Sequence, residues 1–571
     1  MSALEEKAWL SHYAPWTDAE LDYGTTTLLD MWDTNLADNG DKSAVYFFGN
    51  SFTYAEIDRQ ARRAAAGLKA FGVRPGDRVA IMLPNCPQHV MAIWAVLKLG
   101  ATVVEHNPLY TAHELEHPFN DHGARIAICW DKSAHVLEEL RDTTPLETIV
   151  SVNMIDAMPR RMQVALKLPF LKNSRDQLTG EAHNTVPWET LCSNAIGGNG
   201  RTLANSDTVT QSTVALILYT SGTTGKPKGA QLTHLNLYSN VKMGQAWVPE
   251  LGNHGDQERM LGALPLFHAY GFTFICTLPV LCGGEAILLP APQMKLITQV
   301  MKKHTPTFLP GVPTLYEKIL EAAEEAHISL DGVANAFSGA STLPTSIVDR
   351  WEAATSGILV EGYGLTETSP VIIGNTMDGN RKPGYVGLPF PDTLIRIADP
   401  NDPSRQLPDG EEGEVQVKGP QVFAGYLNAE DATAETFWDG WLRTGDIGFM
   451  DENGYVKLVS RLKEVIITGG FNVYPVEVEE VLRTHPDIED VAVVGLPRAD
   501  GAENVCAAIT LKPGAPLDPD GLKDFARTQL TRYKVPRKFF HFEELPRDMM
   551  GKIRRADVRA QLIDKYGTAG A

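Results

Sequence analysis

Short, almost wholly apolar runs separated by stretches of helical periodicity constrain the fold of this chain more than any other feature. The run VAIMLP at Val79–Pro84 precedes a helical pattern from Pro87 to Leu99, and Arg125–Trp130 and Val214–Tyr219 are further runs of the same kind. Runs of this length without alternation are typical of strands buried on both faces, which occur where helices connect parallel strands. The sequence therefore predicts a layered α/β fold for most of the chain.

The pattern changes toward the C-terminus. Glu414–Lys418 alternates like a half-exposed strand, and Asn453-Gly454 is a hairpin signal between two more strand patterns. After Arg461 the predicted order is strand, helix, strand, helix, at 464–468, 475–484, 491–495 and 521–529. We therefore predict a large N-terminal domain, residues 1–461, and a small α+β C-terminal domain, residues 462–571.

Composition excludes several classes of protein. The formal net charge of −20 over 571 residues argues against generic nucleic-acid binding, which needs a basic surface. No apolar run reaches the roughly 18–20 residues of a membrane-spanning helix, and the N-terminus, MSALEEKAWLSHYAPW, lacks the apolar region of a signal peptide. The six cysteines are scattered without a CxxC pair, which disfavours structural zinc and disulfides. We therefore expect a cytoplasmic protein.

The segment 154–175, MIDAMPRRMQVALKLPFLKNSR, is basic, unlike its surroundings. It carries five cations against the single acid Asp156. Five apolar residues fall roughly on one helical face, namely Met158, Met162, Ala165, Leu166 and Pro169. Two interpretations are open: a basic amphipathic helix on the inner face of an anionic membrane, or a surface helix that packs its apolar side against the protein.

A glycine-rich loop, YTSGTTGKPKG, follows the apolar run that ends at Tyr219. Its glycines let the backbone approach a ligand closely, its N–H groups and hydroxyls can hold an anion, and its two lysines add positive charge. It is not a Walker A loop, because Pro227 stands where Ser or Thr would follow the Gly-Lys pair. A phosphate-binding loop is predicted rather than a plain polar surface loop. Its candidate residues are Thr220, Ser221, Gly222, Thr223, Thr224, Gly225 and Lys226.

This loop is similar to the signature of the adenylate-forming superfamily, which includes acyl-CoA synthetases, luciferases and peptide-synthetase adenylation domains. The resemblance extends from about Thr53 to Arg555. It includes three further motifs: GYGLTET at Gly362–Thr368, WLRTGDIG at Trp441–Gly448 and PRDMMGKIRR at Pro546–Arg555. The resemblance implies a β-barrel-like subdomain in the large domain, a mobile C-terminal domain, and ATP, Mg²⁺ and coenzyme A as cofactors.

The GYGLTET motif is implied to contact the nucleotide. Its expected nucleotide-binding residues are Gly362, Tyr363, Gly364 and Thr366. By resemblance, the Tyr363 ring stacks on adenine and Thr366 contacts phosphate. Glu367 acts in catalysis and, with Thr223, holds Mg²⁺, which suits a hard cation that prefers oxygen ligands.

The motif at Trp441–Gly448 and a further one, RLKEVIITGGFNVYPVEVE at Arg461–Glu479, are implied to hold the ribose and to allow a domain movement. Asp446 resembles the aspartate that binds both ribose hydroxyls, since one carboxylate can accept two hydrogen bonds. Arg461 resembles the arginine that also holds the ribose, and Lys463 occupies the hinge position. Gly469 and Gly470 are implied to let the pantetheine arm of CoA pass close to the backbone.

Two further side chains are implied to act on the acid. Lys552 matches the lysine that bridges the substrate carboxylate and the α-phosphate, where a cation offsets the repulsion of two anions. His268, in PLFHAYGF, resembles the histidine at the mouth of the acid pocket. The alternative for His268 is a core histidine paired with a backbone carbonyl. Peptide-synthetase domains carry Asp at its position, so His268 disfavours an amino acid as substrate.

The acid pocket is expected to be apolar. Gly339 and Ala340 are small and would leave room for a long tunnel, and Tyr270 and Phe272 are candidates for its wall. Together with segment 154–175, this resembles a medium- or long-chain fatty acyl-CoA ligase. The alternatives are an aryl-acid ligase of the coumarate type, an acyl-AMP ligase that loads a carrier protein, and a non-catalytic binder. The expected partners are fatty acid, ATP and CoA, with a homodimer and peripheral membrane contact left open.

Overall fold

The computed structural model describes residues 2–193, 205–220, 226–249, 251, 257–468, 471–498, 503–548 and 551–566. They form two compact units. The larger unit comprises residues 10–394 and 418–440, and the smaller unit comprises residues 1–9, 395–417 and 441–571. The predicted domain boundary after residue 461 falls inside the smaller unit, and the division at that residue stays a prediction.

A nine-stranded sheet forms one layer of the larger unit. Its spatial order is Leu388–Pro389, Val371–Gly374, Ile358–Gly364, Asn335–Ser338, Phe308–Gly311, Arg259–Gly262, Glu285–Leu288, Ser43–Phe47 and Asn50–Thr53. The central pairs are parallel and the pairs at both ends are antiparallel. Parallel neighbours need crossover connections, which helices provide.

An eight-stranded sheet contains the strands that the apolar runs predicted. Its order is Gly425–Tyr426, Lys228–Thr233, Val214–Thr220, Thr102–Glu105, Arg78–Met82, Ile126–Trp130, Thr148–Val152 and Val186–Pro187. The three predicted buried strands are confirmed within one or two residues at each end. A further short strand of the larger unit spans Phe437–Trp438.

Helices cover and connect these sheets. The α-helices of the larger unit are Leu28–Asn39, Tyr54–Ala70, Pro87–Lys98, Ala112–His122, Ala134–Glu139, Arg160–Ala165, Lys172–Leu178, Trp188–Leu191, His234–Trp247, Ala269–Gly271, Leu278–Cys282, Met294–Lys303, Pro313–Ala326, Thr345–Thr355 and Glu430–Thr436. A π-helix spans Phe272–Thr277, and 3-10 helices span Asp131–Ser133, Met154–Ala157, Pro169–Leu171 and Thr366–Thr368. No helix in the described ranges has the length and apolarity needed to cross a membrane.

The predicted helix after the first apolar run is confirmed at Pro87–Lys98, and all twelve of its residues are buried. A helix that is apolar around most of its circumference is typical of a core position. Its last residue, Lys98, is also buried, and its ammonium lies 2.8 Å from the Asp58 carboxylate. Burial lowers the pKa of Lys98, which the Asp58 charge opposes. Removing Asp58 would leave the buried ammonium with the more distant Asp33 carboxylate, at 3.9 Å, and would destabilise the helix at this position.

An antiparallel sheet forms the first part of the smaller unit. Its order is Asp402–Gln406, Leu394–Asp399, Gly413–Lys418, Trp441–Met450 and Val456–Arg461. The Asn453-Gly454 turn joins the last two strands, as predicted, and Gly454 has a φ of +86° that a side chain would disfavour. This sheet confirms the barrel-like part of the expected fold.

The C-terminal part of the smaller unit is α+β, as predicted. Its strands are Ile466–Thr468, Phe471–Val473, Ile488–Pro497, Glu503–Leu511 and Lys538–His541, and its helices are Pro475–Arg483, Pro519–Arg527 and Arg555–Tyr566. The third strand is longer than its apolar run at 491–495 because it pairs along its whole length with Glu503–Leu511. Apolar residues from both helices and strands, including Leu482, Val493 and Leu522, form its core.

Candidate active site

The phosphate-loop motif joins two antiparallel strands of the larger unit. Val214–Thr220 and Lys228–Thr233 pair so that Thr220 faces Lys228, which holds the two ends of the loop side by side. Thr220 is half-buried and Lys226 is exposed. The remaining candidate loop residues lie outside the described residues, namely Ser221, Gly222, Thr223, Thr224 and Gly225.

One helix supports both flanks of this loop. Within Ala112–His122, the Asp121 carboxylate accepts a hydrogen bond from the Tyr219 hydroxyl at 2.7 Å. Burial and the Asp121 charge raise the pKa of Tyr219, so the hydroxyl keeps its proton and donates. On the other flank, His117 Nε2 donates to the Pro227 carbonyl at 3.1 Å. The loop is therefore fixed just before and just after its glycine-rich centre.

Close packing accounts for both glycines of the GYGLTET motif. The motif lies at the end of the strand Ile358–Gly364. A Cβ atom added at Gly362 would lie 2.2 Å from the Phe337 ring, and one at Gly364 would lie 1.7 Å from the Pro370 carbonyl oxygen. Both distances are far below van der Waals contact, so only glycine fits. A nucleotide contact at these two positions stays a prediction.

Glu367 is held by a residue that the sequence analysis did not identify. The Tyr426 hydroxyl donates to Glu367 Oε1 at 2.7 Å, and the Phe423 N–H donates to the Glu367 carbonyl at 2.9 Å. Burial and the Glu367 charge raise the pKa of Tyr426, so its hydroxyl remains a donor. Tyr363 and Thr366 of the same motif are, like Glu367, half-buried. No spacing in the sequence relates positions 367 and 426, which only the folded chain brings together.

Tyr426 also connects this carboxylate to the phosphate loop. The strand Gly425–Tyr426 pairs with Lys228–Thr233, and the Lys228 ammonium lies 5.4 Å from the centre of the Tyr426 ring. One two-residue strand therefore joins the exit of the loop to Glu367.

The oxygen chemistry at Glu367 fits a magnesium ion that is bound mainly through nucleotide phosphates. Within the described part of the chain, no group of three or more His, Cys, Asp or Glu side chains could hold a metal ion alone. Mg²⁺ usually takes one or two carboxylates, with phosphate and water as its other ligands. A single carboxylate at Glu367 is consistent with that mode.

His268 precedes the short helix Ala269–Gly271. Its Nδ1 accepts a hydrogen bond from the Tyr270 N–H at 3.3 Å, so the neutral ring carries its proton on Nε2. The ring is half-buried. This Nδ1 bond is therefore made to a backbone N–H, whereas the alternative interpretation expected a bond between the histidine and a backbone carbonyl.

The candidate acid-pocket residues are partly brought together. Tyr270 is buried, donates its hydroxyl hydrogen to the Phe337 carbonyl and packs edge-on against another ring. A Cβ atom at Gly339 would lie 3.1 Å from the Tyr270 ring, so the space that this glycine leaves is taken by the tyrosine. Phe272 is fully buried, and Ala340 is exposed with a φ of +70°. Such a φ is uncommon for alanine, and backbone strain of this kind clusters at functional sites.

The two predicted ribose residues face each other in the smaller unit. Asp446 on Trp441–Met450 is in register with Arg461 on Val456–Arg461. The Arg461 Nε atom lies 3.0 Å from Asp446 Oδ1, and Asp446 is only 4% exposed. Strand pairing thus unites two residues that are 15 positions apart in the sequence.

Lys552 lies close enough to this pair for their charges to act on it. Its N–H donates to the Asp548 carboxylate at 2.9 Å, and the Asp548 N–H donates to the Lys552 carbonyl at 2.8 Å, which closes a tight turn. Burial and then the Arg461 cation lower the pKa of Lys552, while Asp446 and Glu464 oppose the shift. An incoming anion would raise this pKa again and stabilise the charged ammonium.

The predicted hinge residue Lys463 is exposed in the 3-10 helix Leu462–Glu464. Gly469 and Gly470 lie outside the described residues. Just after the hinge position, Glu464 accepts a hydrogen bond from Arg555 at 2.8 Å. Arg555 also pairs with the buried Glu479 through two bonds of 2.8 and 2.7 Å. The motif at Pro546–Arg555 ends at this arginine, but the sequence analysis assigned it no role. Arg555 anchors the segment that follows the hinge.

The chain is similar to known proteins along most of its length. A family model described as AMP-binding enzyme matches residues 32–427, and one described as AMP-binding enzyme C-terminal domain matches residues 477–552. A long-chain-fatty-acid–CoA ligase of Bacillus subtilis (strain 168) is 37% identical over 96% of this chain and 97% of the relative. A protein of the same name from Escherichia coli O6:H1 is 34% identical over 98% of this chain and 99% of its own. A feruloyl-CoA synthase of Amycolatopsis sp is 33% identical over 90% of this chain and 95% of the relative.

Solved structures with the same fold include two enzyme complexes. ATP-bound MatB from Rhodopseudomonas palustris has a TM-score of 0.77 at 30% identity and covers 95% of this chain and 100% of its own. The anthranilate CoA ligase AuaEII in complex with anthranoyl-AMP has a TM-score of 0.81 at 25% identity, over 94% of this chain and 97% of its own. With a family model that matches most of its length and relatives that align almost from end to end, this chain belongs to the AMP-binding enzyme family.

Proposed function

We propose that this enzyme joins a carboxylic acid, most suitably a medium- or long-chain fatty acid, to coenzyme A at the expense of ATP. The carboxylate attacks the α-phosphorus of ATP and pyrophosphate leaves, which gives an acyl-adenylate. The CoA thiolate then attacks the acyl carbonyl, and AMP leaves with its bonding electrons. The observation that carries the proposal is the gathering of Asp446, Arg461 and Lys552 in a chain of this family.

In the first half-reaction, the protein must hold two anions together. Lys552 is proposed to bridge the acid carboxylate and the α-phosphate, because a fixed cation lowers the cost of their approach. Asp446 is proposed to accept hydrogen bonds from the ribose hydroxyls, and Arg461 to hold the ribose beside it. Their in-register pairing supports this assignment, since both side chains are fixed before the nucleotide arrives.

The phosphate loop and GYGLTET are proposed to bind the rest of the nucleotide. Tyr363 would stack on adenine, and Thr366 and the loop hydroxyls would contact phosphate. Mg²⁺, held by Glu367 and Thr223, would neutralise phosphate charge when bound. Tyr426 is proposed to position Glu367 for that task, because its hydroxyl bond fixes one carboxylate oxygen.

In the second half-reaction, the C-terminal domain is proposed to rotate about Lys463, so that Lys552 withdraws and CoA enters past Gly469 and Gly470. His268 is proposed to place the carboxylate at the mouth of the acid pocket and to stabilise charge during thioester formation. Its Nε2–H would be the donor, because Nδ1 is occupied by a backbone N–H.

Apolar surroundings support a fatty acid as substrate. Tyr270 and Phe272 are buried aromatic candidates for the pocket wall, and neither brings a charge. Several relatives that align along nearly the whole chain are named long-chain-fatty-acid–CoA ligase. An aryl acid is the second candidate, because feruloyl-CoA synthase is 33% identical and an anthranilate CoA ligase shares the fold. A homodimer, a cytoplasmic location and membrane contact through segment 154–175 stay predictions.

Acid-dependent AMP release in the presence of CoA tests the proposal. We expect release with octanoate or palmitate to exceed release with acetate, benzoate and ferulate. A preference for ferulate would favour the aryl alternative, and AMP release that required a carrier protein instead of CoA would favour the acyl-AMP ligase. Complete absence of acid-dependent AMP formation would refute the proposed activity.

Lys552→Ala separates the two half-reactions. We expect pyrophosphate–ATP exchange to fall by about 10²–10³-fold, the effect of removing one group that stabilises transition-state charge. Conversion of a supplied acyl-adenylate to acyl-CoA should change little. Lys565→Ala, at an exposed lysine of the same unit, is the matched control. An equal loss in both half-reactions would contradict the role given to Lys552.

A further inference from the structure

The segment 154–178 presents a second apolar face, directed to solvent. Met158 and Leu166, which the sequence placed on one apolar face, are 2% and 8% exposed and pack inward. Val164, Leu168 and Phe170 are 66%, 43% and 78% exposed. Large apolar side chains that cluster in seven consecutive positions and remain in water are a feature of interaction surfaces. We call these three residues, with their basic neighbours, the 164–170 surface.

This surface rests on an ordered scaffold. Asn50 donates to the Ala157 carbonyl at 2.9 Å at the beginning of the segment, and Trp130 Nε1 donates to the Leu178 carbonyl at 2.9 Å at its end. Between these points the chain continues through the helix Arg160–Ala165 and a series of hydrogen-bonded turns. The outward side chains therefore project from a fold that is fixed on both sides.

The charge around the three apolar residues is opposite to that of the protein. Arg160, Arg161 and Lys167 are exposed, and Asp156 is the single acid in 154–175. Lys172 is also exposed but pairs with Asp176, so it adds little net charge. The whole chain has a formal charge of −20. Cations that surround projecting apolar side chains are the pattern of proteins that lie in the headgroup region of an anionic bilayer.

We propose that the 164–170 surface docks on a membrane that contains anionic lipids, with Val164, Leu168 and Phe170 inserted among the acyl chains. The projecting side chains favour a lipid surface over an acidic protein partner, since a soluble partner helix would call for a groove. Docking itself does not depend on the proposed ligase activity. One consequence does rest on it: a long-chain acid partitions into bilayers, so docking would concentrate the enzyme where its substrate is.

Vesicle co-sedimentation of the full chain without substrate tests the docking. The probe is phosphatidylglycerol mixed with phosphatidylcholine, with pure phosphatidylcholine for comparison. We expect binding to the anionic vesicles that weakens with salt, and little binding to the neutral ones. Leu168→Glu and Phe170→Glu should each reduce binding by about tenfold or more, because each places a carboxylate where an apolar group would insert.

Leu517→Glu is the matched control, since Leu517 is 38% exposed against 43% for Leu168 and receives the same change. It should bind like the unsubstituted protein. Arg161→Gln and Lys167→Gln should each weaken binding to anionic vesicles by about fivefold, the factor expected for one surface cation. Thermal unfolding of all variants should match, since surface changes of this kind alter stability little.

Three results would overturn the proposal. The unsubstituted protein could fail to sediment with anionic vesicles at low salt. The glutamate variants at positions 168 and 170 could bind as well as Leu517→Glu. The chain could also bind an immobilised polyglutamate but not vesicles, which would identify an acidic polypeptide as the better partner. None of these results depends on whether ATP is converted to AMP, so failure of the ligase proposal would be seen separately.

Discussion

The surroundings of Lys552 fit the charged transition state in which it is proposed to act. The residue is half-buried and the Arg461 cation acts on it, and both effects lower its pKa. The Asp446 and Glu464 charges act in the other direction. A nucleotide phosphate and a carboxylate would add negative charge on the same side, so the cation becomes most favourable when the two reactants are present.

Tyr426 leads to a prediction at the same scale. Tyr426→Phe removes the hydroxyl that donates to Glu367 but keeps the ring near Lys228. A hydrogen bond to a charged group contributes about 1.5–3 kcal/mol, so we expect kcat for adenylation to fall by roughly 10–100-fold. The Mg²⁺ concentration needed for half-maximal rate should rise, and the KM for the acid should stay unchanged. Steady-state pyrophosphate–ATP exchange at varied Mg²⁺ measures all three.

Tyr533→Phe, at a partly exposed tyrosine of the smaller unit, is the control for that measurement. A change in acid KM without a change in Mg²⁺ dependence would show that Tyr426 does not act through Glu367.

At the scale of elements, the sequence predicted what local pattern determines. The strand Val214–Thr220 and the helix Pro87–Lys98 were recognised because continuous apolar runs have few alternatives. The strand Gly425–Tyr426 was not recognised, because two residues are too few to show a periodic pattern. They form a strand only by pairing with a segment that is distant in the sequence. Segment 154–175 was given one apolar face, but its chain is divided into short helices near Pro159 and Pro169, so a single helical period does not describe it.

The candidate site divides in the same way. Motif resemblance supplied Asp446, Arg461 and Lys552, which the structure brings near one another. It did not supply Tyr426, and it gave no role to Arg555 although that residue ends the motif at Pro546–Arg555, because the partners of both are set by tertiary packing. The sequence suggested open space beside Gly339. In the structure the Tyr270 ring fills that space, a contact that also depends on tertiary packing.

Arg555 gives a prediction about the stability of the C-terminal elements. It begins the helix Arg555–Tyr566 and pairs with Glu479, which is fully buried. Although burial alone would lower the pKa of Arg555, its bonds to Glu479 and Glu464 raise it. Arg555→Ala leaves the buried Glu479 carboxylate with Arg483, 3.6 Å away, as its remaining cation, so we expect a destabilisation of about 3 kcal/mol, the lower end of the range for a broken buried pair.

Differential scanning calorimetry of the full chain would measure this change. The adjacent Arg554→Ala is the control, because Arg554 is 57% exposed and pairs with Asp557 near solvent. That change should cost less than about 1 kcal/mol. Similar shifts in the two variants would mean that the Arg555 bonds contribute little to stability.

At the scale of the whole molecule, the two proposed half-reactions need two arrangements of the same catalytic groups. Lys463 is exposed within a single 3-10 turn, where a change in backbone dihedrals meets little packing resistance. Hinges are usually a few residues of this kind at the ends of elements.

Lys463→Pro tests that hinge. Proline fixes φ near −65° and removes one N–H, so we expect adenylation to stay within about twofold while thioester formation falls by about tenfold or more. Lys463→Ala keeps a free backbone and should retain both half-reactions. Single-turnover assays of acyl-adenylate formation and of its transfer to CoA would resolve the two rates. Unchanged transfer in Lys463→Pro would place the hinge elsewhere.

The packing around Gly362 and Gly364 also affects how this protein could be engineered. Any larger residue there collides with an aromatic ring or a carbonyl oxygen that belongs to the interior. In a library of random variants, proteins substituted at these two positions would fail to accumulate in soluble form, so their catalysis would not be measured. Attempts to test the proposed adenine contact should therefore vary Tyr363 between them and leave both neighbours untouched.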